Sequence, residues 1–208
     1  SDSGAWVKPI SADGRQFEVA LRSGETCKVS WELQGTHNQV NALHAILAAH
    51  HVGVTLETSA EALSSFQNVK RRMEWLGEFG GISIYDDFAH HPTAIATTLE
   101  GLRARLGTKK LIAVIEPRSN TMKQGVFQSL LAESAATADH AYWYQPSSQN
   151  WSLTKSLAGA ENQIVYEDFS KMLADIAIEV EQGSHLVVMS NGGFNGIHEK
   201  LKAIFEAR

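Results

Sequence analysis

The stretch YDDFAHHPTAI, Tyr85–Ile95, sets two adjacent aspartates, two adjacent histidines and a proline where the apolar run from Ile82 to Tyr85 gives way to a helix-like pattern. Proline suits the first turn of a helix and holds the residue before it extended. A strand therefore ends near Tyr85, and a helix runs from Pro92 to about Leu106 with His90 and His91 flanking its start. If the strand continues through the aspartates, Asp86 and Asp87 point to opposite faces, and the two cannot readily grip one metal ion. One carboxylate at such a strand end can accept hydrogen bonds from ribose hydroxyls, and one imidazole can orient or donate to a substrate oxygen. The residue types fit equally well an aspartate that caps the helix beside histidines that merely pack.

Downstream, the same alternation repeats. Strands are expected at Lys110–Ile115, His140–Tyr144, Gln163–Tyr166 and His185–Ser190. Helices are expected from about Gly125 to Ala136, near Leu153, from Phe169 to Glu181 and from Asn195 to Ala207. Strands alternating with helices imply right-handed βαβ units, so the fold class is α/β: a Rossmann-like, mostly parallel sheet with helices on both faces. In such sheets ligands bind beyond the carboxyl ends of the strands. The segments DDFAHHP, EPRSNT and SNGGFNG all sit there and form one candidate rim.

Upstream, FEVALRSGETCKVSW reads as two alternating strands around Arg22–Glu25, a β-hairpin. GTHNQVNALHAILAAHHVGV places Val40, Leu43, Ile46 and Leu47 at helical spacing, which predicts a mostly buried helix from about Asn38 to His51, stopped by Gly53. Thr58-Ser59-Ala60-Glu61 offers a capping-box start to a short helix ending near Phe66, and Val69–Trp75 reads as extended. A domain boundary is expected near Arg71–Leu76.

Composition narrows the function classes. With 43% hydrophobic residues the 208-residue chain has material for one sizeable core or two small ones. A net charge of -5 and no basic run longer than Lys70-Arg71-Arg72 argue against a nucleic-acid partner. Cys27 is the single cysteine, which excludes an intramolecular disulfide and a Cys-rich zinc site and suits a reducing cytoplasm. The longest apolar runs fall far short of the roughly 20 residues that cross a bilayer, so no membrane partner is expected. The opening Ser1-Asp2-Ser3-Gly4 carries no initiator Met and no signal-peptide pattern, as expected of a piece of a longer protein.

Further residues carry possible chemistry. His37, Asn38 and Asn41 share one turn at the head of the first helix, where two asparagines at i, i+3 can read a base edge or, on spacing alone, cap the helix. Arg72 can reach a phosphate with two parallel hydrogen bonds or belong to a solvated basic run. Arg118, Ser119, Asn120 and Thr121 suit a carboxylate-bearing ligand, the last three also serving as caps. In Asn191-Gly192-Gly193 the glycines let backbone approach a ligand. Neither the dinucleotide fingerprint nor a Walker A sequence occurs in the chain.

Taken together, GTHNQVNALHA, the junction arginine and YDDFAHHPTAI resemble the Mur ligases, ATP-dependent amide ligases of the bacterial cell wall. The resemblance covers essentially the whole chain but only part of the family's architecture. It implies that residues 1–72 are the tail of a central ATP-binding domain and residues 73–208 a C-terminal, Rossmann-like domain. The N-terminal and central domains of the parent chain would then be its partners. ATP and Mg2+ are the implied cofactors, bound mainly by parts absent from this sequence, and no metal ligand is assigned here. His37, Asn38, Asn41, Arg72 and Asp87 match the family's nucleotide contacts, and His90 matches a histidine near the reacting groups. Arg118, Ser119, Asn120, Thr121, Lys123, Asn191, Gly192 and Gly193 would line the pocket of the incoming peptide.

DDFAHHPT resembles the branch acting on UDP-N-acetylmuramate. EPRSNTMKQG and MSNGGFNGIHEKL look most like the branch that attaches L-Ala-γ-D-Glu-meso-diaminopimelate to it through an acyl phosphate, in cell-wall recycling. The branch that adds a single L-alanine, and a Rossmann-type module that binds without catalysis, are the alternatives. The chain alone is expected to be inactive.

Overall fold

The structure of the chain, a computed structural model, describes residues 4–118, 124, 126–145 and 151–208. The chain divides into two units, Ser1–Asn68 with Glu100–Arg105, and Val69–Leu99 with Leu106–Arg208.

In the first unit β1 (Ala5–Pro9), β2 (Gln16–Leu21) and β3 (Thr26–Ser30) form an antiparallel sheet in that order. The β2–β3 hairpin follows the expected alternation, with Phe17 opposite Val29 and Val19 opposite Cys27. These four residues turn inward onto Ala42 and Ile46 of α1 (Thr36–His51) and Leu56 and Ala60 of α2 (Leu56–Ser64), closing one core. The short strand β1, with Trp6 half exposed, has too little alternation to be read from sequence.

Both helix starts differ from expectation. Gly35, at φ 84°, caps α1 without a side chain, so the helix begins at Thr36 and Asn38 lies inside its first turn. Asn38 is therefore no cap; its side-chain amide donates to the Gln34 carbonyl at 2.7 Å. Helix α2 is capped by Thr55, whose hydroxyl accepts the Thr58 N–H at 3.2 Å, so Thr58 is its third residue and not its start. A threonine three residues earlier satisfies the orphan N–H groups first.

The second unit holds β4 (Glu74–Phe79), β5 (Ile82–Asp87), β6 (Leu111–Glu116), β7 (His140–Tyr144), β8 (Gln163–Tyr166) and β9 (His185–Ser190) in the spatial order β4-β5-β9-β6-β7-β8. Strand β4 is antiparallel at the edge; all the other pairings are parallel. Strands β5 and β6 are buried at every residue, as central parallel strands covered on both faces must be.

The helices are α3 (Pro92–Leu106), α4 (Leu131–Ser134), α5 (Leu153–Ser156), α6 (Phe169–Glu179) and α7 (Ile197–Glu206). The connection from β5 through α3 to β6 crosses the sheet in one direction, and that from β8 through α6 to β9 returns in the other. With right-handed crossovers this puts α3 and α6 on opposite faces. Ile82, Ile84, Ile112, Val114, Leu186 and Val188 accordingly pack on Met172 and Ile176 of α6 and Leu201 and Phe205 of α7. Asp87, one residue out of phase with Ile82 and Ile84, meets Thr98 of α3 instead.

Three expectations change here. The extended reading of Val69–Trp75 fails because Arg71 and Met73 take left-handed φ values of 60° and 49°, which folds residues 70–73 into a turn and delays β4 to Glu74. The helix expected from Gly125 to Ala136 is a 3-10 turn at Gln128–Leu130 followed by the four-residue α4, and Gly125 lies outside the described residues. The last helix is broken at its start, where Asn195 has φ 52°, so α7 begins at Ile197 after a 3-10 turn.

Candidate active site

Because β5, β9 and β6 lie side by side, the segments that follow them open on one rim of the second unit. Asp87 pairs with Met189, and Ser190 pairs with Glu116, so all three strands end at nearly the same height.

Asp87 closes β5 with both carboxylate oxygens engaged. Oδ1 accepts the Ala89 N–H at 2.7 Å and the Thr98 hydroxyl at 3.5 Å, and Oδ2 accepts the Met73 N–H at 2.8 Å. It therefore anchors the turn after the strand and does not cap α3. Burial pushes its carboxyl above the usual 3.8; the hydrogen bonds from Ala89 and Met73 and the charge of Arg72 oppose that, while Asp86 adds to it.

His90 is half-buried, with Nδ1 at 2.9 Å from the Phe88 carbonyl oxygen and its ring edge-on to the Phe88 ring at 5.6 Å. A carbonyl can only accept, so Nδ1 carries a hydrogen, and the tautomer that fits this bond has its lone pair on Nε2. The ring of His91 packs on Phe127 at 4.3 Å, the role of a packed polar residue. Pro92 opens α3 as the sequence predicts.

The two junction arginines differ. Arg72 is exposed, its guanidinium 5.7 Å from the centre of the Phe88 ring. Arg71 turns inward: Nε donates to Asp86 Oδ2 at 3.2 Å, and Nη2 donates to the carbonyl oxygens of Ser190 at 2.6 Å and Gly192 at 3.0 Å. Asp86 also faces Nε2 of His198, on α7, at 3.1 Å. The Ser190 hydroxyl donates to Glu116 Oε2 at 2.6 Å and accepts the Gly192 N–H at 3.0 Å.

Arg71, Asp86, Glu116, Ser190 and His198 thus form a polar layer over the apolar core beneath. The sequence places Asp86, Glu116 and Ser190 in the rim segments DDFAHHP, EPRSNT and SNGGFNG but points to no individual role for them, nor for Arg71 or His198. An alternation argument from Ile82 and Ile84 finds Asp86 on that face, but the left-handed turn that aims Arg71 inward leaves no mark in residue types.

On the far side of the rim Arg118 lies over Gly192, where an added Cβ would sit 2.7 Å from Nη1. Asn191 is half-buried and Gly193 exposed. Ser119, Asn120, Thr121 and Lys123 lie outside the described residues. In the first unit, His37 and Asn41 are exposed and Asn38 half-buried, all three in the first two turns of α1. The structure thus brings Arg72, Asp87, His90, Arg118, Asn191, Gly192 and Gly193 to the ends of three adjacent strands of one unit, and gathers His37, Asn38 and Asn41 on one helix of the other. Among the described residues no group of three or more His, Cys, Asp or Glu side chains is placed to hold a metal ion. No described helix is long and apolar enough to cross a membrane.

Residues 71–192 match the family model described as Mur ligase, glutamate ligase domain. Among curated proteins, the chain is 44% identical over 203 residues to UDP-N-acetylmuramate–L-alanyl-gamma-D-glutamyl-meso-2,6-diaminoheptandioate ligase of Escherichia coli (strain K12), covering 96% of this chain and 44% of the relative. It is 40% identical over 206 residues to the protein of the same name from Haemophilus influenzae, covering 96% of this chain and 45% of the relative. Among solved structures, a murein peptide ligase from Psychrobacter arcticus superposes with a TM-score of 0.76 at 42% identity, over 100% of this chain and 45% of that one. The chain spans about half the length of the curated relatives it matches. A fold, a rim and a sequence match that agree over this span have one reading: the chain belongs to the Mur ligase family.

Proposed function

We propose that this chain is the C-terminal portion of a cytoplasmic ATP-dependent amide ligase that joins L-Ala-γ-D-Glu-meso-diaminopimelate to UDP-N-acetylmuramate in cell-wall recycling. Residues 1–72 are the tail of its central ATP-binding domain, and residues 73–208 are its C-terminal domain. The observation that carries this reading is the convergence of Asp87, His90 and Arg118 with the Asn191–Gly193 loop on one rim, in a chain whose relatives at 44% and 40% identity bear that enzyme's name.

In the proposed reaction the lactyl carboxylate takes the terminal phosphoryl group of ATP, giving an acyl phosphate and ADP. The free amine of the tripeptide then attacks the acyl carbon, the amide forms, and phosphate leaves. A proton must be lost from the attacking nitrogen, and Nε2 of His90 is the proposed acceptor. A carboxylate has about four lone-pair sites, so Asp87 can accept ribose hydroxyls beside its backbone partners. Arg72 supplies an exposed guanidinium to the phosphates, and His37, Asn38 and Asn41 supply the adenine side. Arg118, with Ser119, Asn120, Thr121 and Lys123, holds the carboxylates of the incoming peptide, and the Asn191–Gly193 backbone approaches it closely.

Magnesium stabilises phosphoryl charge in such reactions. Its ligands would come from the phosphate-loop portion of the parent chain, which this sequence does not contain.

The test joins this chain to the remaining portion of the E. coli relative and supplies ATP, the tripeptide and UDP-N-acetylmuramate labelled with heavy oxygen in the lactyl carboxylate. Transfer of one labelled oxygen to the released phosphate is expected. Amide formation without that transfer would exclude the acyl phosphate.

A further inference from the structure

Arg71 turns inward from the rim. It follows β-strand geometry on neither side, sits at φ 60°, and has its backbone fixed by two bonds: its N–H donates to Glu74 Oε2 at 2.8 Å and its carbonyl accepts the Phe88 N–H at 2.8 Å. Its side chain then reaches over the sheet to Asp86, Ser190 and Gly192. One residue is thereby bonded both to the segment after β5, through Phe88, and to the segment after β9, through Ser190 and Gly192. At the far ends of the network Asp86 Oδ1 lies 3.1 Å from Nε2 of His198 with no hydrogen bond between them, and the Ser190 hydroxyl donates to the buried Glu116.

The geometry points to Arg71 as a positioning residue that locks the Phe88–His91 segment and the Ser190–Gly193 segment into a single register. Its effect is exerted through Phe88, which carries the carbonyl that orients His90, and through Gly192, over which Arg118 lies. The guanidinium suits this task because it spans a carboxylate and two carbonyls at fixed angles; a lysine offers a point charge that cannot hold all three. The neighbouring Arg72, between the two left-handed residues, is exposed. This inference rests on the ligase reading for its kinetic consequence, though the lock itself does not depend on it.

Two measurements test it. In the 208-residue chain, Arg71→Met is expected to speed hydrogen exchange of the Phe88 and Gly192 amides at least tenfold while the Val114 amide, in the middle of β6, stays within twofold. Unchanged exchange at Phe88 and Gly192, or the same rise at Val114, would overturn the lock. In the joined ligase described above, Arg71→Met is expected to raise the KM for tripeptide and for ATP at least tenfold each, with Arg71→Lys recovering part of the loss. Loss of folded enzyme would lower kcat and leave both KM values alone, so that pattern counts against positioning. If the unsubstituted joined protein forms no amide, the ligase reading fails, and the exchange result still decides the lock.

Discussion

Asp86 and Asp87 are consecutive yet serve opposite faces of the sheet: Asp86 faces His198 of α7 at 3.1 Å, whereas Asp87 meets Thr98 of α3 at 3.5 Å. The pleat separates their tasks, one bracing the rim from below and the other anchoring the turn that carries His90.

Asp87 is 3% exposed, and its carboxylate satisfies the N–H groups of Met73 and Ala89. Asp87→Ala orphans both donors and is expected to cost about 2–4 kcal/mol. Asp87→Asn keeps one acceptor and costs less. Because the folded carboxyl titrates above its usual 3.8, its contribution is fully present below that pH and declines as pH rises through the raised value. The stability of the unsubstituted chain relative to Asp87→Asn should therefore fall between acid and neutral pH; urea unfolding across that range measures it, and a rise would reverse the sign.

Gly192 probes Arg118. An alanine Cβ would meet the mobile end of an exposed arginine, which can move aside, so Gly192→Ala should change stability by less than about 0.5 kcal/mol. If Arg118 holds a peptide carboxylate, the same substitution weakens tripeptide binding about tenfold, near the value of one charge-assisted hydrogen bond. The double variant with Arg118→Ala should bind no worse than Arg118→Ala alone, since the two act on one contact. Calorimetry on the three variants decides this.

At the β4–β5 turn, Gly80 has φ 56° and an added Cβ would run into the Phe205 carbonyl oxygen. Backbone cannot yield as a side chain does, so Gly80→Ala is expected to cost about 2–4 kcal/mol. Gly24 has φ 95° but open space around it, so Gly24→Ala should cost only about 1 kcal/mol. Thermal unfolding of the two variants separates the clash from the conformational cost.

Much of this architecture is legible in the residues. The parallel strands announce themselves because continuous apolar runs such as LIAVIE and HLVVMS are what doubly covered strands require. Pro92 marks its helix because its fixed φ suits a first turn. Strand alternation by itself separates the two aspartates. What the residues do not show are the places where tertiary contacts decide the backbone. Arg71 and Met73 adopt left-handed φ against their own preference because Glu74, Phe88, Asp86 and Asp87 bond them there. The helix expected after Gly125 shrinks to one turn although its residues have adequate propensity, which contributes little over so short a span. Glu116 and Ser190 read as strand ends, and only the neighbouring placement of β6 and β9 turns them into a pair.

Tyr142 supports the opposite end of the second unit. Its hydroxyl donates to Glu179 Oε2 at 2.5 Å, and burial followed by that carboxylate pushes the phenol well above its usual 10. Tyr142→Phe should cost about 1 kcal/mol, the net value of one hydrogen bond whose acceptor water can reach. A raised phenol contributes its stability fully below pH 10 and loses it as pH climbs through the folded value. The difference from Tyr142→Phe should stay level to about pH 10 and shrink above it, as followed by denaturant unfolding.

The most direct measurement is mass analysis of what the chain, joined to the remaining portion of the E. coli relative, makes from ATP, UDP-N-acetylmuramate and an equal mixture of tripeptide and L-alanine. The proposed function predicts the tripeptide adduct of UDP-N-acetylmuramate, with ADP and phosphate formed in equal amounts and no alanine adduct. An alanine adduct as the main product, or no amide at all, would contradict it.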